Sequence, residues 1–176
     1  MWTDRTEIRI AGKGGQGVIL SGKILGNAAV HDGRYAVHTS SYGAEARGTA
    51  ARSDIIISGQ SIAFPQVRNC DILIAMSQVA LQRYLKSLRE DGSLIVDPDL
   101  VKETAAFPGK TFNIPANNTS QRELGSPLYA NMVMLGALTR ITNVVTVEAM
   151  EEAMADYVSS DELSNNLKAL KLGLGL

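Results

Sequence analysis

The sequence predicts an α/β fold, a mostly parallel sheet flanked by helices, in a single domain spanning residues 1–176. Three observations predict it. Several apolar runs are short and continuous rather than alternating, as in strands covered on both faces. The first forty residues read strand, glycine turn, helix, strand, which is the order of a parallel crossover unit. A chain of 176 residues with 45% apolar and 20% charged side chains can also build one substantial core. The expected architecture is Rossmann-like.

Residues 7–11 (EIRIA) read as the first strand, ending at a group of glycines. Val18, Leu20, Ile24, Leu25 and Ala28 then recur near helical spacing, so a helix is expected over 17–31. Asp32-Gly33 stops it, and residues 35–38 (YAVH) form a second strand. The runs at 54–58 (DIIIS) and 71–75 (DILIA) have strand length and composition. A helix over 79–88 leads into another strand at 93–97 (SLIVD). The pattern weakens between Pro98 and Pro115, with one strand expected at 111–114. Residues 128–142, rich in Ala, Met and Leu, read as a buried helix in which Asn131 is an amide among apolar neighbours. That amide needs either an internal partner or a place facing a ligand crevice. Thr146 can cap the next helix, with Glu148, Glu151 and Glu152 in its early turns. A last helix is expected over 161–172, with residues 173–176 fraying.

Charge and composition exclude several functions. A net charge of −1 without a basic block gives no electrostatic support to a nucleic-acid or membrane-surface role. No apolar run reaches the length of a membrane span, and residues 1–7 lack the layout of a signal peptide, so a cytoplasmic protein is expected. Cys70 is the sole cysteine, which excludes an internal disulfide and an iron–sulfur cluster held by this chain alone. It precedes a strand and reads as a packing residue. His31 and His38 lack zinc-site spacing and have no Ser or Cys partner in a recognisable motif. Any redox cofactor is expected elsewhere.

The segment Gly12-Lys13-Gly14-Gly15-Gln16-Gly17 matches G-x-G-x-x-G between a strand and a helix. Two readings stand. Glycines allow a tight turn and close backbone approach, and free N–H groups at a helix start attract a phosphate. Alternatively the glycines let helix and sheet pack closely and bind nothing. A dinucleotide would call for a carboxylate at the end of the second strand. That strand ends His38-Thr39-Ser40-Ser41, and Asp32 lies before it, so ordinary NAD binding is disfavoured. A Walker loop fails because no Gly-Lys-Ser/Thr stands at the required spacing. The segment Ser40 to Thr49 (SSYGAEARGT) is expected at the same crevice as the glycine turn. There Ser40 and Ser41 offer hydroxyls and Arg47 offers a cation for a phosphate or a partner's carboxylate. The bland alternative is an internal ion pair of Glu45 with Arg47 or Arg52.

"GKGGQGVILSGKIL" at 12–25, followed by "SYGAEARGTAARSDIIIS" at 41–58, resembles the gamma subunit of 2-oxoacid:ferredoxin oxidoreductases. "IAFPQVRNCDILIAMS" at 62–77 and "NMVMLGAL" at 131–138 extend the resemblance in order over most of the chain. Thr49 departs from it, since many relatives carry a second glycine there.

The resemblance implies a chain that catalyses nothing alone. Other subunits (alpha, beta and delta) or fused domains of such enzymes carry thiamine diphosphate and iron–sulfur clusters. They decarboxylate a 2-oxoacid, pass electrons to ferredoxin and hand the acyl group to coenzyme A. The gamma module is associated with assembly and with the coenzyme A side of the reaction. The phosphate of the glycine turn would then belong to coenzyme A, with Gly12, Lys13, Gly14, Gly15, Gln16, Gly17, Ser40, Ser41 and Arg47 as candidate contacts. Gly15 is where a side chain is expected to project into the pyrophosphate's space. The short, separate chain is similar to the 2-oxoglutarate group, ahead of pyruvate, branched-chain and indolepyruvate enzymes. Two alternatives remain: a scaffold subunit binding no small molecule, and a free-standing nucleotide-binding enzyme. Deprived of partners, a chain with 45% apolar residues could self-associate.

Overall fold

The computed structural model describes residues 5–42, 50–104 and 106–176. Among them six strands form one sheet: β1 (Arg5–Lys13), β2 (Tyr35–Ser41), β3 (Ala50–Ser58), β4 (Cys70–Ala75), β5 (Leu88–Val96) and β6 (Lys110–Asn113). Their order is β2-β3-β1-β4-β5-β6. β1, β4, β5 and β6 run parallel, and only β3 runs against its neighbours β1 and β2. The sheet is therefore mostly parallel, as the short continuous runs predict. One expectation is corrected. β2 does run in the same direction as β1, but β3 returns between them, pairing with β2 from Tyr35 opposite Ser58 to Ser41 opposite Arg52. Burial explains the exchange. Ile55, Ile56 and Ile57 of β3 are sealed and need cover on both faces, whereas Thr39, Ser40 and Ser41 of β2 are exposed and tolerate an edge.

Side chains alternate between two cores. Ile8, Ile10, Ile55, Ile57, Ile72 and Ile74 enter a larger core with the helices α1 (Val18–His31), α4 (Ala130–Thr142), α5 (Val147–Tyr157) and α6 (Ser160–Leu174). Ala11, Ile56, Leu73, Ala75, Leu94 and Val96 face a smaller core with the short α2 (Gln78–Tyr84). Several predicted bounds shift. The helix expected over 79–88 ends at Tyr84, passes through one 3-10 turn, and Leu88 already begins β5. The helix expected from residue 128 starts at Ala130, because Pro127–Tyr129 forms a 3-10 turn that leaves Leu128 76% exposed. Thr146 does cap α5, its Oγ1 accepting from the Ala149 N–H at 3.2 Å. Fraying does not reach residue 173: α6 continues through Gly173, which is buried against the Val133 carbonyl of α4. α3 (Ala116–Leu124) is unforeseen by apolar periodicity, since only Ala116, Thr119 and Ser120 of it are buried.

Two polar pairs pin the strands that carry the first turn. On the small-core face, the buried Arg9 donates from Nε and Nη2 to both carboxylate oxygens of Asp54, at 2.7 and 2.9 Å, across the β1–β3 pair. Its remaining N–H groups reach the Ser87 hydroxyl at 2.6 Å and the Val67 carbonyl at 3.0 Å. On the large-core face, His38 Nε2 and the Ser53 hydroxyl share a hydrogen bond of 2.6 Å under α1. Burial, reinforced by the Lys23 charge, holds the His38 imidazole below its usual pKa, against a smaller opposing pull from Asp54. A histidine depressed in the folded state is protonated first in the unfolded chain. Its contribution to stability is therefore complete above about pH 6.5 and is lost as pH falls below that value. Urea midpoints of the native chain should accordingly fall between about pH 7 and 5. A His38→Asn variant should show a shallower slope, and an identical slope would exclude His38 as the cause.

Candidate functional site

β1 ends where the connections diverge: α1 departs toward β2 on one side of the sheet, and β4 and β5 lie on the other. This switch point at the carboxyl ends of parallel strands is where such sheets leave a crevice. The glycine turn closes it through one side chain. Gln16 Oε1 accepts the Lys13 N–H at 2.6 Å, and Gln16 Nε2 donates to the Met76 carbonyl at 2.8 Å. The amide thus ties the end of β1 to the end of β4. Gly17 caps α1 in the left-handed region at φ 69°, and a Cβ there would collide with the Asn131 side chain. Glycine is required on both grounds. α1 begins with no side-chain cap and no acidic residue in its first turn. Its first N–H groups, which have no acceptor within the helix, are thereby left without a side-chain acceptor from the cap.

Above the turn lies a cleft of about 170 Å³ lined by Gly15, Gln16, Met76, Asn117, Pro127, Leu128, Ala130 and Asn131. Asn131 is 4% exposed, and its Nδ2 donates to the Gly17 carbonyl at 3.5 Å. Both expectations for this amide are met at once: it has an internal partner and it faces the crevice. Asn117 is positioned by Asp97, which is completely buried just beyond β5. Asp97 Oδ2 accepts both the Asn117 N–H at 2.8 Å and Asn117 Nδ2 at 2.9 Å, while Oδ1 accepts the Asp99 N–H at 2.9 Å. One buried carboxylate therefore fixes the start of α3 and the cleft wall together.

The candidate residues are distributed unevenly. Gly15 and Gln16 line the cleft, whereas Gly12 packs against Gln16, Val18 and Met76 and Gly17 against Asn131, outside the lining. Lys13 and Gly14 are exposed beside it. Ser40 and Ser41 end β2 at the same edge of the sheet, but β3 separates them from the turn. Arg47 and Glu45 lie outside the described residues, and Arg52 pairs with Asp54 at 3.3 Å. Asp32, set aside as a ribose ligand, accepts the Thr146 N–H and hydroxyl at 2.8 and 2.6 Å and so joins α1 to α5. Burial pushes the Cys70 thiol up to about 11, which suits a packed and unreactive residue. Among the described residues no group of three or more His, Cys, Asp or Glu could hold a metal ion, and no helix is long and apolar enough to cross a membrane. Sequence reasoning missed Asp97, Asn117 and Leu128. The available signal was a lone aspartate closing an apolar strand run, Ile95-Val96-Asp97, where a crevice-edge residue belongs.

Residues 7–176 match the family model described as pyruvate ferredoxin/flavodoxin oxidoreductase. The 2-oxoglutarate synthase subunit KorC of Methanothermobacter thermautotrophicus is 49% identical over 176 residues, covering 96% of this chain and 93% of that one. The gamma subunit of a keto/oxoacid ferredoxin oxidoreductase from Geobacter sulfurreducens superposes with a TM-score of 0.87 at 40% identity, covering 97% of this chain and 96% of its own. A 2-oxoglutarate:ferredoxin oxidoreductase from Magnetococcus marinus has the same fold in 31% of its chain, with a TM-score of 0.89 at 24% identity over 99% of this chain. On this family match, and on the near full-length similarity to gamma-type chains, the protein belongs to the pyruvate ferredoxin/flavodoxin oxidoreductase family as a gamma-type subunit.

Proposed function

We propose that this chain serves an enzyme that oxidatively decarboxylates 2-oxoglutarate to an acyl-coenzyme A, and that its glycine turn forms part of the coenzyme A site. The observation that carries the reading is the uncapped start of α1 at the sheet's switch point, opening on the cleft at Gly15. The KorC relative is a 2-oxoglutarate synthase subunit, and the Magnetococcus enzyme was solved with 2-oxoglutarate, coenzyme A and succinyl-CoA bound. Alpha, beta and delta subunits carry thiamine diphosphate and the iron–sulfur clusters, ferredoxin takes the electrons, and the complex works in the cytoplasm. Thiamine diphosphate supplies the carbanion chemistry of decarboxylation. This chain supplies backbone N–H groups for an anion at 14–15 and 17–20 (the Gln16 N–H being held by the Lys13 carbonyl), the Lys13 charge beside them, and a cleft of about 170 Å³. That is below the usual range of about 300–1,000 Å³ for a whole ligand site, so partner subunits complete the pocket.

A scaffold role is the second reading. Leu128 at 76% and Tyr42 at 70% exposure are large apolar residues at the carboxyl edge, suited to a partner's surface. Hydrogen exchange of the assembled complex separates the two. Coenzyme A should slow exchange at amides 14–20 of this chain. Protection confined to other subunits would leave only the scaffold. The purified chain alone should oxidise no 2-oxoacid with an artificial electron acceptor, and activity should appear when the partner subunits are added.

A further inference from the structure

We propose that Asn117 and Asn131 make the cleft an acceptor site for an uncharged N–H group of coenzyme A rather than a seat for its phosphates. The proposal rests on the coenzyme A reading above. The orientation of each amide follows from what its partner can do. Asn117 Nδ2 points to the carboxylate of Asp97, which only accepts, so the Asn117 carbonyl oxygen is the uncommitted half. Asn131 Nδ2 points to the Gly17 carbonyl, which also only accepts, so its Oδ1 is likewise uncommitted. Asn131 is 4% exposed, yet no sealed side-chain nitrogen or oxygen among the described residues lacks a partner. Its unpartnered oxygen therefore opens on the cleft that it lines. Gln16 is fixed in orientation instead, since each end of its amide is already bonded to backbone.

Apart from Gly15 and Gln16, the rest of the described lining is apolar, namely Met76, Pro127, Leu128 and Ala130, and no cation stands among the described lining residues. A phosphate entering there would meet two carbonyl oxygens and, beyond the second N–H of each amide, no described side-chain charge to offset its lost hydration. An amide N–H or an aromatic amine would satisfy both the oxygens and the apolar wall. The phosphates are then left to the rim, at the exposed Lys13, Gly14 and the first turn of α1. Coenzyme A offers two such donors, the amides of its pantetheine arm and the exocyclic amine of adenine.

Calorimetric titration of the unmodified assembled oxidoreductase distinguishes them. Two ligand changes are compared with coenzyme A: the arm amides replaced by esters, and the adenine replaced by purine lacking its amine. Loss of a neutral hydrogen bond should weaken one of the two about three- to tenfold. The ester form weakening assigns the arm, and the deaminated form weakening assigns the adenine. Asn117→Ala and Asn131→Ala should each shrink that difference while the complex still assembles. If both altered ligands bind as tightly as coenzyme A, the acceptor site is overturned. Coenzyme A protection at 14–20 would still stand in that case, and its absence as well would remove the underlying reading.

Discussion

Replacing Asp54 with alanine should destabilise the chain by about 3–5 kcal/mol, because it strands a cation inside the sheet. The Arg9 side chain is 5% exposed, and its two carboxylate bonds at 2.7 and 2.9 Å are its charge compensation. In Asp54→Ala the guanidinium keeps the Val67 carbonyl, the Ser87 hydroxyl and the Tyr84 ring face, none of which carries a formal charge. Arg52 also loses a partner, but it is partly exposed and water replaces the contact. The cost is specific to leaving one charge behind. Replacing both members by apolar residues, as in Arg9→Met with Asp54→Leu, should recover most of it, since a buried pair and a well-packed apolar pair are often close in free energy. Urea unfolding of the two variants checks this. A loss below about 1 kcal/mol in Asp54→Ala would show that the pair is not the anchor of the β1–β3 register. The consequence reaches the site, because this register carries β1 to Lys13 and sets where the glycine turn begins.

Much of this arrangement is legible in the sequence. Runs such as Ile55-Ile56-Ile57 and Ile72-Leu73-Ile74 read as strands with cover on both faces by their shortness and β-branched content, and each of them divides between the two cores. The glycine turn was legible because strand, turn and helix are contiguous. So was Asn131, since an amide in an apolar helix must find a partner somewhere. The insertion of β3 was not legible, because local pattern reports that a segment is extended and buried but not which strand lies beside it. α3 was missed for a related reason. Its sequence ANNTSQREL has almost no apolar stripe, and its first turn is held by Asp97 twenty positions earlier. The same long-range bond explains why Asn117 escaped notice as a cleft residue: nothing near it in sequence hints at the carboxylate that orients it.

The largest functional effect is expected at Gly15, and the backbone there decides how it should be tested. Gly15 lines the cleft, and a Cβ on it would meet nothing within 4 Å, so a side chain would fill cleft space without displacing protein. Its φ of 91° is nevertheless one that valine adopts only with strain, so Gly15→Val combines obstruction with local distortion. Asparagine tolerates positive φ far better, and Gly15→Asn places a side chain at the same point with less strain. If the turn and cleft hold coenzyme A, both variants should raise its Michaelis constant by at least about tenfold, through obstruction of the cleft and through roughly 1.5–3 kcal/mol for each charge-assisted hydrogen bond lost as the pyrophosphate is displaced from the adjoining rim. Reduction of the acceptor by the 2-oxoacid, which precedes acyl transfer, should change little. Gly14→Val tests the rim instead: it sits on the same turn without a positive φ and outside the cleft lining, so it should weaken coenzyme A binding without filling the cleft. If Gly15→Val blocks assembly while coenzyme A kinetics stay normal in whatever complex forms, the turn is a docking element. A folded, assembled Gly15→Asn complex with an unchanged coenzyme A constant would remove the turn from the ligand site altogether.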